Sequence, residues 1–80
     1  MEWFVCLSAA LNGHFEILKW AREQGCEWNS NVCYNAAYYG HIEILKWARE
    51  QGCEWNKNLC YELAKDHGYT EITKWIEEND

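Results

Sequence analysis

The chain contains no proline, a single methionine, and only seven basic residues against 13 acidic ones. No apolar run approaches the ~18 residues of a membrane-spanning helix. No C-x-x-C pair, glycine-rich phosphate loop or nucleophile elbow occurs, and such patterns would be the usual marks of a zinc site, a nucleotide site or a hydrolase. No stretch alternates apolar and polar residues as a half-buried strand does. With nothing to make a strand and no proline to break a helix, the predicted fold is all-α.

The net charge of −6 excludes further partners. Nucleic-acid binding draws most of its affinity from Lys and Arg neutralising phosphates. Here the bases sit beside acids: Glu16, Lys19 and Glu23 alternate at helical spacing, as do Glu43, Lys46 and Glu50. That is the i,i+3 and i,i+4 pairing of a solvated face. Neither nucleic acid nor an anionic membrane is an expected partner.

Half of the chain is apolar, yet its mean hydropathy is −0.57. It is organised by repetition. Gly40–Asn56, GHIEILKWAREQGCEWN, repeats Gly13–Asn29 at 16 of 17 positions, with Ile42 in place of Phe15. A third, altered copy begins GYTEITKWIEEND at Gly68. A fixed period of 27 residues is the signature of a solenoid whose units stack to bury what no unit buries alone. The run Trp3–Leu11 could pass for the apolar core of a signal peptide. Glu2 stands where a positive charge belongs, however, and Cys6, Ala9 and Ala10 align with Cys33, Ala36 and Ala37. It therefore reads as a helix.

The expected order is a helix to Asn12, Gly13, a helix over about Phe15–Gln24, Gly25 as a left-handed stop, a loop, and then the same cycle twice more. Asn29 and Asn56 are the expected N-caps. The buried stripe of the first helices is predicted as Val5, Cys6, Ala9 and Ala10, then Val32, Cys33, Ala36 and Ala37, then Leu59, Cys60, Leu63 and Ala64. Ile17, Leu18 and Ala21 are the corresponding core face of the second helix. The chain forms one domain of three units at about 1–28, 29–55 and 56–80. The third unit carries one extra residue.

GHIEILKWAREQGCEWN resembles the second helix and following turn of an ankyrin repeat, G-H-L-E-V-V-K-x-L-L-x-x-G-A-D-V-N. Ala36-Ala37 followed by Gly40 resembles the A-A-x-x-G that closes the ankyrin first helix. The likeness covers nearly the whole chain. It departs from the family in its 27-residue period, where 33 is usual, and in lacking the T-P-L-H signature and the β-hairpin finger. The tryptophan-rich short form is similar to ankyrin-like repeats multiplied in giant DNA viruses and some protists. The resemblance implies helix pairs without fingers, and a non-catalytic role in binding proteins.

Three residue types invite other readings. Cys6, Cys33 and Cys60 share one repeat position, and Cys26 and Cys53 another. Equivalent positions on stacked helices lie ~8–10 Å apart, beyond the ~7 Å Cα separation that a disulfide tolerates. A zinc site from Cys26, Cys33, Cys53 and Cys60 lacks the close ligand pairs such sites use. The cysteines read as small apolar core residues in a reducing, cytoplasmic compartment. His14 and His41 open second helices and imply local hydrogen bonding; His67 is not their equivalent. Trp20, Trp47 and Trp75, with the loop residues Trp28 and Trp55, recur with the repeat, which favours inter-repeat packing over binding. No cofactor, metal or catalytic role is expected.

The copies differ most on one face of the first helices. Phe4, Leu7, Ser8 and Leu11 become Asn31, Tyr34, Asn35 and Tyr38, and then Asn58, Tyr61, Glu62 and Lys65. These follow i, i+3, i+4, i+7, and in ankyrin proteins the corresponding helices line the concave binding surface. Tyrosine and asparagine suit contact with a protein partner. The alternatives are that these positions are merely unconstrained, or that the chain is a structural fragment or designed scaffold with no partner. The ends also differ. Thr70, Thr73 and Glu77 make the third unit polar, whereas Trp3, Phe4, Leu7 and Leu11 crowd the first helix, which points to a homodimer through the N-terminal face or burial by preceding repeats.

Overall fold

Six short helices follow one another: α1 (Phe4–Asn12), α2 (Phe15–Glu23), α3 (Asn31–Tyr39), α4 (Ile42–Glu50), α5 (Lys57–Asp66) and α6 (Thr70–Glu78). They come from a computed structural model that describes residues 4–79, with side chains from Cys6 to Asn79. The expectations for Trp3 and for the side chains of Phe4 and Val5 fall outside the described residues. Among the described residues there is no strand, as the absence of alternation requires.

The turns inside each helix pair are made by backbone bonds at identical places. The amide N–H groups of His14, His41 and Tyr69 donate to the carbonyls of Ala9, Ala36 and Ala64 at 2.9, 2.8 and 2.9 Å. Each bond runs five residues back across a glycine at positive φ, the geometry that closes a helix through a left-handed residue. Second helices end the same way, Cys26 donating to Ala21 and Cys53 to Ala48. The extra residue of the third unit lengthens α5 to ten residues and places His67 at its C-terminal cap.

Asn56 caps α5 as its sequence predicts, its side chain accepting the Leu59 N–H at 3.0 Å. Asn29 differs. Its Oδ1 accepts from Asn31 N–H at 2.9 Å, two residues on, and Ser30 takes the cap position of α3. The side chain still satisfies an orphan donor, from one position earlier.

First helices form one row, α1 against α3 and α3 against α5, and each packs on the second helix of its own pair. The core between the rows is made of Cys6, Ala9, Ala10, Cys33, Ala36, Ala37, Cys60 and Ala64, joined by Leu18, Ile44, Leu45, Ile72 and Ile76 from second helices. Alanine and cysteine let helices approach closely, and the larger residues fill the space that remains between them.

Burial departs from the repeat pattern at both ends of the row. Ile17 is 50% exposed and Trp20 51%, although their equivalents Ile44 and Ile72 are each 2% exposed and Trp47 and Trp75 are half-buried. Leu59 is 40% exposed and Leu63 half-buried, whereas Val32 and Ala36 are buried. The core assignments of Ile17, Trp20 and Leu59 are therefore corrected. Identical residues are buried only where a neighbouring pair lies against them.

Candidate functional site

The residues singled out from the sequence lie along the row of first helices. Leu7, Leu11, Tyr34, Asn35, Tyr38 and Tyr61 are half-buried; Ser8, Asn31, Asn58, Glu62 and Lys65 are exposed. Phe4 stands at the first residue of α1, its side chain outside the described residues. Because α3 packs between α1 and α5, these positions lie on three adjacent helices, a strip along the row of first helices. Its character changes along the row, from leucine on α1 to tyrosine and asparagine on α3, which α5 keeps at Asn58 and Tyr61 while adding charge at Glu62 and Lys65.

The centre of the strip is a run of rings. Tyr34 and Tyr38, one turn apart on α3, stack at 6.3 Å with an interplanar angle of 6°. Tyr38 also meets His67 at 4.6 Å and Tyr39 at 4.7 Å. His67 stacks in turn on Tyr69 at 5.5 Å. Rings held on both sides lose little freedom on contact with a partner, which lowers the entropic cost of binding. On α5, the Tyr61 hydroxyl donates to Glu77 Oε1 at 2.9 Å, and this bond raises the Tyr61 pKa.

Sequence reasoning missed an open groove of about 310 Å³ beside the strip, lined by Leu7, Glu27, Trp28, Asn29 and Val32. Leu7 faces this groove between α1 and the loop that precedes α3. The loop is fixed by Arg22, whose guanidinium lies 4.2 Å from the centre of the Trp28 ring and donates to the Cys26 carbonyl. Arg49 repeats the arrangement over Trp55 at 4.7 Å, donating to the Cys53 carbonyl. Arginine can stack and hydrogen-bond at once because its donors lie in the plane of its flat face.

The tryptophans sit between helix pairs. Trp47 meets Phe15 at 5.7 Å and Trp28 at 5.4 Å, both edge-on, and Trp75 meets Trp55 at 5.9 Å. The packing reading holds for these and fails for Trp20. His41 is also corrected. Its Nε2 lies 3.2 Å from the Leu11 carbonyl of the preceding pair, a bond between repeats and not a local one at the helix start.

All five cysteines are buried, as expected of core residues. Burial, followed by the neighbouring Cys26, pushes the Cys6 thiol up to about 12, and burial raises Cys60 to about 11. A hydrogen bond with Cys53 is the largest cause of a strong rise at Cys33, and the same bond lowers Cys53. Thiols held protonated in this way are poor nucleophiles at neutral pH.

Among the described residues no group of three or more His, Cys, Asp or Glu is arranged to hold a metal ion, and no helix is long and apolar enough to cross a membrane. No curated protein and no solved structure matches the chain. The family model described as "Ankyrin repeats (many copies)" matches residues 6–49, more than half of its length. The glycine-closed helix pairs, the H-x-E core that opens α2 and α4 and this match agree, and the chain belongs to the ankyrin repeat family.

Proposed function

We propose that the chain is a non-catalytic protein-interaction domain that binds a protein partner through the strip of first helices. Ankyrin repeats are in general protein-interaction modules. The observation that carries the reading is the contrast between rows. Second helices keep 16 of 17 residues between the first two copies, including the following loop, while all four strip positions change from α1 to α3, and Asn35 and Tyr38 change again to Glu62 and Lys65 on α5. Duplication copied both rows alike, so the change on one row calls for a separate cause, and a shared partner surface supplies it. The contact residues are Phe4, Leu7, Leu11, Asn31, Tyr34, Asn35, Tyr38, Asn58, Tyr61, Glu62 and Lys65, on one domain of three repeats at about 1–28, 29–55 and 56–80. Buried thiols suit a reducing cytoplasm, which would be the host's if the repeats are viral in origin.

Affinity capture with the intact chain tests this. Tyr34→Ala with Tyr38→Ala abolishes capture of the identified partner, while Lys46→Ala, on an exposed position of α4, leaves it unchanged. The opposite pattern overturns the assignment. If no ligand raises the melting temperature of the chain, the alternative of a scaffold without a partner is favoured.

A second reading, self-association, is supported by the exposure of Ile17 and Trp20. These apolar residues on α2 have equivalents covered by a neighbouring pair, and they offer a surface for a two-fold dimer. Leu7 and Leu11 on α1 are half-buried, and Ile17 and Trp20 on α2 add exposed apolar area to the N-terminal face. Sedimentation at micromolar concentration should show a dimer that Trp20→Glu dissociates; a monomer of 9.6 kDa would end this reading.

A further inference from the structure

The cysteines remain unused by any binding role, and the structure groups them differently from the repeat positions. Cys6 on α1 and Cys26 in the loop after α2 belong to one helix pair; Cys33 and Cys53 hold the same places in the next. All four are at most 1% exposed and share one core cluster. Cys53 Sγ lies 3.4 Å from the Asn29 carbonyl oxygen. That carbonyl also accepts from Val32 N–H at 3.1 Å, so it points along the α3 axis into the first turn. Cys33 is four residues beyond Asn29, on the face directly above that carbonyl. The loop therefore delivers Cys53 to the side of α3 that carries Cys33, close enough that each thiol shifts the other's protonation, Cys33 upward and Cys53 downward. Cys6 and Cys26 hold the equivalent places in the first pair, and Cys26 is the neighbour that raises the Cys6 thiol after burial.

We propose that Cys33–Cys53 and Cys6–Cys26 are two disulfide-forming pairs, which close under a thiol oxidant and fasten each inter-repeat loop to the first helix of its own pair. The expectation that the thiols stay apart compared equivalent cysteines in neighbouring repeats, and these partners lie within one repeat. With oxidised glutathione as the oxidant, the Cys53 thiolate attacks one glutathione sulfur. A mixed disulfide forms, and the first glutathione leaves as a thiolate that takes up a proton. The Cys33 thiolate then attacks Cys53 Sγ and expels the second glutathione. Two protein thiols lose two electrons and two protons in all, and one oxidised glutathione becomes two reduced molecules.

The order of attack follows from the pair itself. The shared hydrogen bond lowers Cys53 and raises Cys33, so Cys53 ionises first. Capping Cys53 removes the largest cause that holds Cys33 protonated, and opening of the loop relieves the next, its burial, so that Cys33 can resolve the mixed disulfide. Burial makes local opening of the Gly52–Asn56 loop the slow step, so the pair stays reduced in a reducing compartment and closes on sustained oxidation. Each bridge would close a loop of about 20 residues, raising the melting temperature by ~10 °C or more through the loss of unfolded-chain freedom.

The test is peptide mapping of the full-length chain after incubation with oxidised glutathione at pH 8, with thermal unfolding before and after reduction. Peptides joining Cys33 to Cys53 and Cys6 to Cys26, with a rise in melting temperature that dithiothreitol reverses, are expected. Cys33→Ala should remove the first bridge and its share of the rise while leaving the second. Mapping the unaltered chain needs no variant to fold. Glutathione adducts without internal bridges, cross-links between chains, a Cys53–Cys60 bridge, or a melting temperature lowered by oxidation would each overturn the proposal.

Discussion

His41 sits on Gly13. A Cβ added at that glycine would lie 2.7 Å from His41 Cε1 and 3.0 Å from Nδ1, while His41 Nε2 reaches the Leu11 carbonyl at 3.2 Å. The ring thus crosses the boundary between the first two helix pairs, touching backbone on the far side. Tyr69 does the same at Gly40, where a Cβ would meet its ring at 3.0 Å. Gly13→Ala therefore meets two penalties, a φ of +73° and a collision with a ring that is itself hydrogen-bonded. Gly25→Ala, at φ +89° with no atom within 4 Å of its Cβ, meets only the first. Urea unfolding should show a loss of about 1–2 kcal/mol for Gly25→Ala and a clearly larger one for Gly13→Ala; equal losses would mean that the His41 ring moves aside freely.

Trp47 and Trp20 occupy the same repeat position in different surroundings. Trp47→Ala removes an indole packed edge-on against two rings and should cost ~3–5 kcal/mol. Trp20→Ala alters a residue already 51% exposed and should cost ~1 kcal/mol. Denaturant midpoints of the two variants check this.

The thiols predict alkaline weakness. Cys6 and Cys60 keep their protons in the folded chain to about 12 and about 11, against an ordinary value of 9.0. Between pH 9 and 11 the unfolded chain therefore binds fewer protons than the folded one, so stability falls as pH rises through that window. Urea midpoints under reducing conditions should decline from pH 8.5 to pH 10.5, and Cys60→Ala should make the decline shallower.

Tyr61 carries a hydroxyl bonded to a carboxylate, and both the bond and the charge of Glu77 raise its pKa above 10.0. Ultraviolet titration of the phenols should show one late-ionising tyrosine in the native chain. Glu77→Gln should return that residue towards the ordinary range, whereas Glu62→Gln should shift it less.

The helices were legible because the glycines and the A-A-x-x-G spacing fix where each must stop. The stripe of alanine and cysteine followed from helical periodicity alone. Ile17 and Trp20 were not legible, because a repeat records what its residues touch in the interior of an array and nothing about a boundary. Their sequence neighbours match those of Ile44 and Trp47 except for Phe15 in place of Ile42, and what distinguishes them is exposure. The burial of Cys26 and Cys53 was expected, but the approach of Cys53 to the first turn of α3 was hidden for another reason. It depends on the path of a loop fixed by Arg22 and Arg49 stacking on Trp28 and Trp55, and loop paths leave no periodic trace. The strip from α1 to α5 was found by comparing copies, but the groove beside Leu7 needed the loop in place.

The ring on the glycine also bears on how such a chain lengthens. Each of the first two helix pairs carries a notch at the glycine of its turn, Gly13 or Gly40, and the next pair carries the tooth that seats on it, His41 or Tyr69. A tandem copy of the unit therefore arrives with both halves of its joint already matched to its neighbours. No second substitution is required before the new unit can seat, and a duplication can be stable from its first generation, with nearly every residue of the second helix unchanged.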